Sequence, residues 1–366
     1  MRRASLALAS ATVIAALALT GCSSSTDDGA DKDAKPSEQA LAGGGGAGDN
    51  KSGIATGQDG FQNVRDLMSQ LGTDAAPGEF PRTITNITAN ETVGETEIPA
   101  KPKRVIALDT GELDNMLALG IQPIAYSHSD SMTEIPDYLD TGDAVDLGGY
   151  TALDLEQIKN LEPDLIIGSS LRIDDDGLKA KLQDIAPTVL SVRPGVTWKE
   201  NFELFAAAVG EEEQAADIMA DYDEHVAQVG EDVVEANGGE APTVSMLRFM
   251  SGRMRLYGND SFIGVILADA GLKRPEMEDI PELAAEVSPE EVTLAEGDWL
   301  FWGTYGDADS TDQGAVVDGP LWGEVPAVKN GGVVEEVSDD IWYLGLGTLG
   351  ADIVLDQLDE FAASAK

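Results

Sequence analysis

Between residues 105 and 190 the chain repeats one pattern, a short apolar run followed by apolar residues at helical spacing. The runs are 105–108, 124–126, 165–167 and 188–190. They are too short for helices and apolar throughout, as strands buried on both faces must be. Leu113, Met116 and Leu117 keep the three-four spacing of a helix, and 153–160 and 177–185 read the same way. Strands separated by helices pair in parallel, and the crossover helices cover the sheet. Ahead of this block, residues 81 to 98 alternate as a hairpin, with Pro99 and Pro102 as stops.

A helical stretch follows. Phe202, Phe205 and Val209 mark one helix ended by Gly210. Ala215, Ile218, Met219, Tyr222, Val226, Val229 and Val233 mark a longer one, closed by Asn237, Gly238 and Gly239. The alternation then restarts, with strands expected at 243–247, 299–302 and 333–337 and helices at 261–269 and 351–362. The fold class expected is α/β: two Rossmann-like α/β lobes bridged by a long α-helix. The divisions are 81–199 for the first lobe, 200–239 for the helical stretch and 240–366 for the second lobe. One long helix as connection favours small lobe adjustments over wide hinge closure.

The N-terminus reads as an export signal over residues 1–21. Arg2 and Arg3 precede an apolar run from Leu6 to Leu19, too short to span a bilayer. Leu19-Thr20-Gly21-Cys22 resembles the bacterial lipobox, which implies a lipid on Cys22 and anchoring on the outer face of the cell membrane. Cys22 is the only cysteine, so the chain holds no internal disulfide. Residues 22–80, rich in Gly, Ser and Asp, read as a tether that buries little. Lys plus Arg number 23 against 67 Asp plus Glu, so the formal charge is 23 − 67 = −44. Such a field excludes nucleic acid as the main partner.

Several segments carry a family resemblance in their order and spacing. They are 102–108, 113–124, Leu155-Glu156-Gln157-Ile158, 161–167, Arg255-Leu256-Tyr257-Gly258, 287–292, and Trp322 with 326–331. Over about residues 81–361 the chain resembles the siderophore and vitamin B12 class of periplasmic binding proteins, the helical-backbone, class III lipoproteins of ABC importers. The resemblance implies two lobes with a ligand cleft between them. It also implies a monomer that delivers a ferric siderophore to a permease and its ATPase, with no catalysis and no cofactor of its own. Glu156 and Glu290 occupy matching early positions on two helices, where a carboxylate is favoured by the helix dipole. In similar proteins such glutamates dock on permease arginines, and the alternative reading is helix electrostatics alone.

A caged iron needs no protein ligand cluster. It needs planar donors and flat walls for its organic shell. Arginine is scarce here, and Arg172, Arg193 and Arg248 each follow an expected strand, where open parallel sheets bind ligands. With Arg253 and Arg255 they form the candidate donors, and Tyr126, Trp198, Trp302, Tyr305, Trp342 and Tyr343 the candidate walls. Each of these could instead be a surface arginine or a core aromatic. The negative field favours a neutral hydroxamate complex over a triply anionic catecholate. Haem or vitamin B12 is the alternative ligand, and an exported hydrolase or a cell-surface scaffold a remoter one. No G-x-S-x-G elbow or paired-histidine motif supports a hydrolase. His128 and His225 are too few for an imidazole metal site, although His128 lies near a strand end. Residues 345–350 fit G-x-G-x-x-G, but with the chain ending at Lys366 they read as a tight turn into the last helix.

Overall fold

The computed structural model describes residues 54–55, 61–89, 92–130, 132, 134–173 and 175–365. The export signal, Cys22 and most of the expected tether lie outside these residues. The strands are β1 (Ile54–Ala55), β2 (Arg82–Ile87), β3 (Val93–Ile98), β4 (Val105–Ala107), β5 (Ala125–His128), β6 (Val145–Gly149), β7 (Leu165–Ser169) and β8 (Thr188–Ser191). They continue with β9 (Val244–Met250), β10 (Arg253–Tyr257), β11 (Ala284–Val287), β12 (Trp299–Thr304) and β13 (Val334–Glu336). The helices that matter below are α1 (Phe61–Met68), α2 (Thr110–Ala118), α3 (Leu155–Asn160), α4 (Asp176–Gln183), α5 (Trp198–Val209) and α6 (Glu212–Ala236). After them come α7 (Phe262–Asp269), α8 (Gln313–Val317), α9 (Pro326–Asn330), α10 (Asp339–Trp342) and α11 (Thr348–Ala365).

The first lobe holds a five-stranded parallel sheet in the order β6-β5-β4-β7-β8. The order reverses between β4 and β7, so their carboxyl ends flank the crevice that doubly wound sheets use for ligands. Ile106, Ile166 and Leu190 point to one buried face, and Val105, Leu165, Ile167 and Val189 to the other. The hairpin β2–β3 packs beside β8, with Thr96 donating to the Thr188 carbonyl at 2.9 Å. The tether ends earlier than residue 80. In α1, Val64 and Met68 recur at helical spacing and are buried against the first lobe.

The second lobe departs from simple β/α alternation. Its six-stranded sheet runs β1-β11-β10-β9-β12-β13, with β9, β12 and β13 parallel and β10 antiparallel to both its neighbours. The segment from 253 to 257 is a strand, because Gly252 at φ 71 closes a tight hairpin after β9. Leu247, Phe249, Leu256 and Trp302 form one face, and Met246, Tyr257, Phe301 and Tyr343 the other.

Helix α6 joins the lobes. Its 25 residues reach about 37 Å at 1.5 Å per residue. Ala215, near its start, packs in the first lobe's core, while Tyr222, Val226, Val229 and Val233 belong to the second's. Helix α11 lies along it, burying Ala351, Val354, Leu355 and Leu358 in the same core. At Gly230 the helix meets α7, and a Cβ there would stand 2.3 Å from the Ala270 carbonyl oxygen. Gly230→Ala is therefore expected to cost about 1–3 kcal/mol by overpacking. Chemical denaturation of both forms checks this, and equal midpoints would contradict it.

Candidate functional site

The carboxyl ends of β4 and β7 deliver the first half of the site. The chain leaves β4 at Asp109, which caps α2, and leaves β7 toward Arg172. The Arg172 Nε donates to Asp109 at 2.5 Å, both side chains nearly fully buried. The guanidinium lies over the Tyr150 ring, 4.0 Å from its centroid. Burial opposes the charge on Arg172, but Asp109 and Tyr150 outweigh it and its pKa is raised. Glu112, one turn into α2, is buried beside this pair, and burial with Asp109 pushes its pKa up to about 8.

The second half is built on β9 and β12. Arg248 makes a two-pronged ion pair with Asp339 at the start of α10 and donates to the Tyr257 hydroxyl at 2.8 Å. Its guanidinium carbon stands 4.6 Å from the Tyr305 centroid and 5.1 Å from that of Tyr343. Arg248 pairs in register with Gly303, where a Cβ would stand 2.8 Å from Tyr343. That glycine leaves room for Tyr343 beneath the arginine. Burial works against Arg248's charge, yet Asp339 and Tyr257 raise its pKa overall. Beside it, Arg255 donates to Glu286 across the β10–β11 pair at 3.0 Å, and Arg253 reaches the same carboxylate at 3.4 Å.

The two halves face each other. Tyr150's pKa is raised by burial first and by Asp109, while Arg172 opposes; Tyr305 of the second lobe also contributes, so it lies within electrostatic reach. Each lobe thus presents an arginine, its aspartate and a tyrosine ring: Arg172, Asp109 and Tyr150 opposite Arg248, Asp339 and Tyr305. In both groups an aspartate neutralises the arginine beside a tyrosine ring, which leaves little uncompensated charge. Among the described residues no group of three or more His, Cys, Asp and Glu side chains is placed to hold a metal ion. No helix among them is long and apolar enough to cross a membrane.

The structure brings some of the expected residues together and removes others. Arg172, Arg248 and Tyr305 come together, with Arg253 and Arg255 along the adjoining strand, whereas Tyr343 offers no wall: it is buried beneath Arg248 with its hydroxyl donating to the Leu247 carbonyl at 2.7 Å. Arg193 follows β8 and is buried, its carbonyl accepting from the Thr197 hydroxyl at 2.9 Å. Trp198 and Trp342 offer no wall, since both are fully buried. Trp198 packs edge-on against Tyr222 and Phe262, and Trp342 lies against Phe301 with its indole N–H donating to Gln357. Trp302 is one residue out of phase: with Gly303 opposite Arg248, the pleat sends Trp302 to the other face, against Phe249 and Trp322. Tyr126 is buried in the first lobe's core. His128 is tied to the Ser129 carbonyl at 2.9 Å and lies 3.4 Å from Asp146, while His225 lies between Asp352 and Asp356 of α11. Asp175 is the cap of α4.

The aspartates, Tyr150, Tyr257 and Glu112 are the residues that sequence reasoning missed. Asp109 stands directly after an apolar run, at the same kind of strand end used to select the arginines, so that signal was present. Glu156 and Glu290 are both exposed and both second residues of their helical segments, α3 and the short turn Pro289–Leu294. A separate cavity of about 780 Å³ opens near Thr243, Lys273 and Arg274, at the amino end of β9. It lies away from the strand ends that carry the arginines.

Comparison with known proteins bears on the family and the fold. Residues 105–338 match the model of the periplasmic binding protein family. A probable siderophore-binding lipoprotein of Bacillus subtilis is 33% identical over 74% of this chain and 85% of its own length. An iron(3+)-hydroxamate-binding protein of the same organism is 28% identical over 66% of this chain and 75% of its own. Among solved structures, SirA of Staphylococcus aureus complexed with staphyloferrin B superposes with a TM-score of 0.66 at 28% identity, covering 74% of this chain and 97% of that one.

Three buried carboxylates give the fold a pH signature. Burial lifts Glu112 to about 8, and it lifts Asp114 and Glu278 to about 7 each. All three lie above the ordinary carboxylate range near 4. Between those limits the folded chain holds protons that the unfolded chain releases. Their stabilising contribution is complete below about pH 4 and is lost as pH rises through 7 and 8. Melting temperature is expected to be higher at about pH 5.5 than at about pH 8.5 in 1 M salt, which screens surface repulsion. Glu278→Gln, remote from the crevice, should reduce that difference. An unchanged difference in this variant would contradict the assignment.

Proposed function

This chain belongs to the periplasmic binding protein family, and from that premise we propose that it captures a ferric siderophore outside the cytoplasm and passes it to an ABC permease. It is a substrate-binding protein and not an enzyme. The observation that carries the ligand reading is the pair of arginine–aspartate–tyrosine groups on either side of the crevice. The iron arrives with its oxygen ligands in place. The protein's part is to offer guanidinium edges to those oxygens and the Tyr150 and Tyr305 rings to the organic shell.

The pairing also bears on the chelating group, for which we favour hydroxamate. Arg172 and Arg248 already hold a carboxylate each, and Glu286 serves both Arg253 and Arg255. A tris-catecholate carrying three negative charges would have to compete with buried aspartates for these cations. A neutral trihydroxamate can take the remaining N–H donors with the ion pairs intact. The hydroxamate-binding relative supports this reading. Anchoring by a lipid on Cys22, action as a monomer, and docking on the permease through Glu156 and Glu290 complete the proposal.

Tryptophan fluorescence titration with ferric trihydroxamate, ferric tris-catecholate, haem and cobalamin tests it. Saturable quenching by the ferric trihydroxamate is expected, with little effect of the iron-free chelator. Arg248→Lys keeps the charge but loses the fork, and should weaken binding about tenfold. Glu156→Lys with Glu290→Lys should leave that affinity unchanged and stop uptake in cells. Failure of every ferric complex to bind would refute the reading.

A further inference from the structure

Asp114 lies on α2, two residues beyond Glu112, and is completely buried. Its carboxylate reaches into the other lobe. One oxygen accepts from the Leu349 N–H at 2.9 Å and the other from the Gly350 N–H, also at 2.9 Å. These are free amides of the first turn of α11, where a carboxylate also meets the positive end of the helix dipole. The Tyr138 hydroxyl completes the set of donors on the same carboxylate.

The glycines around this contact exist to permit it. A Cβ on Gly347 would stand 2.4 Å from the Asp114 carboxylate, and one on Gly111 would stand 3.2 Å from the Leu346 Cβ. A Cβ on Gly350 would lie 3.2 Å from both the Tyr138 hydroxyl and Gly345. Leu346 sits in the left-handed region at φ 54, where a leucine is held only by its surroundings. The G-x-G-x-x-G segment at 345–350 is thus a backbone seat for one carboxylate of the opposite lobe, in addition to being the turn into the last helix.

The position of this joint gives it a consequence. Helix α2 is capped by Asp109, the partner of Arg172, and α10 begins at Asp339, the partner of Arg248. Asp114 therefore fastens together the two segments that carry the two halves of the crevice. We infer that Asp114 is a positioning residue that sets the separation of the Arg172 and Arg248 groups, and through it the size of ligand the crevice accepts. The consequence for ligand rests on the function proposed above, whereas the joint itself does not.

The test uses the full chain with Cys22→Ser and spin labels at Lys159→Cys and Lys329→Cys, both exposed and on different lobes. Distances are measured by pulsed electron resonance at about pH 8, above Asp114's pKa of about 7, so that the carboxylate is charged. A single narrow distance is expected with Asp114, and a longer or broader distribution with Asp114→Ala. Amide exchange at Leu349 and Gly350 should rise in step. An unchanged distribution in folded Asp114→Ala overturns the inference. If that variant does not fold, Gly347→Ala disturbs the same contact from the other side and should shift the distance in its place; no shift there overturns it equally.

Ferrioxamine B and a bulkier ferric tris-catecholate are then titrated against both forms. The loosened variant should lose affinity for ferrioxamine B by at least about tenfold and discriminate less between the two probes. A shifted distance with both affinities unchanged would overturn the positioning role. A shifted distance in a protein that binds neither probe before mutation would leave the joint standing and refute the function instead.

Discussion

The site depends on a guanidinium being held in a nearly dry place, which physics allows only when a carboxylate holds it there. Arg172 and Arg248 are buried to the point where an unpaired charge would be untenable, and each is neutralised by an aspartate from the start of a helix. The aspartates arrive by topology. Asp109 leaves β4 at the point where the first sheet's order reverses, and Asp339 follows β13, which lies next to β12 in the second. Once those pairs form, the remaining N–H edges and the tyrosine faces are fixed in direction before any ligand arrives. That preorganisation reduces what binding would otherwise lose in side-chain entropy.

The same constraint explains how a strongly acidic chain keeps cations at its crevice. With 67 acidic residues the surface has carboxylates to spare, and the crevice uses only a few of them as counter-ions. Helix α6 ties the two cores along one side, while the joint at Asp114 ties α2 to α11 beside the crevice. Two attachments of different kind, apolar packing and a charged cap, leave small adjustments between lobes and oppose wide opening.

Much of the architecture could be read from the sequence because the first lobe's strands are buried on both faces and write their positions as apolar runs. The second lobe was harder. Its β10 alternates Arg253, Arg255 and Tyr257 with Met254 and Leu256, so it carries no apolar run, and its partner β11 is four residues long. The strand-end expectation holds for Arg172, which follows β7, whereas Arg248, expected just past a strand, lies inside β9. It failed for the tryptophans. Trp198 and Trp342 are large apolar side chains at helix ends, and tertiary packing drew both into the core, while the pleat turned Trp302 away. Asp109 carried the strand-end signal, but Asp339 was hidden because an acidic residue carries little information in a chain with 67 of them.

On the proposed function, a metal complex sits between the Tyr150 and Tyr305 rings and leaves the ion pairs beneath unbroken. A crystal structure of the protein grown with a ferric trihydroxamate tests it most directly. The complex is expected between those rings, its oxygens on Arg172 and Arg248, with Asp109 and Asp339 still in place. A complex bound elsewhere, or one that displaces either aspartate from its arginine, would contradict it.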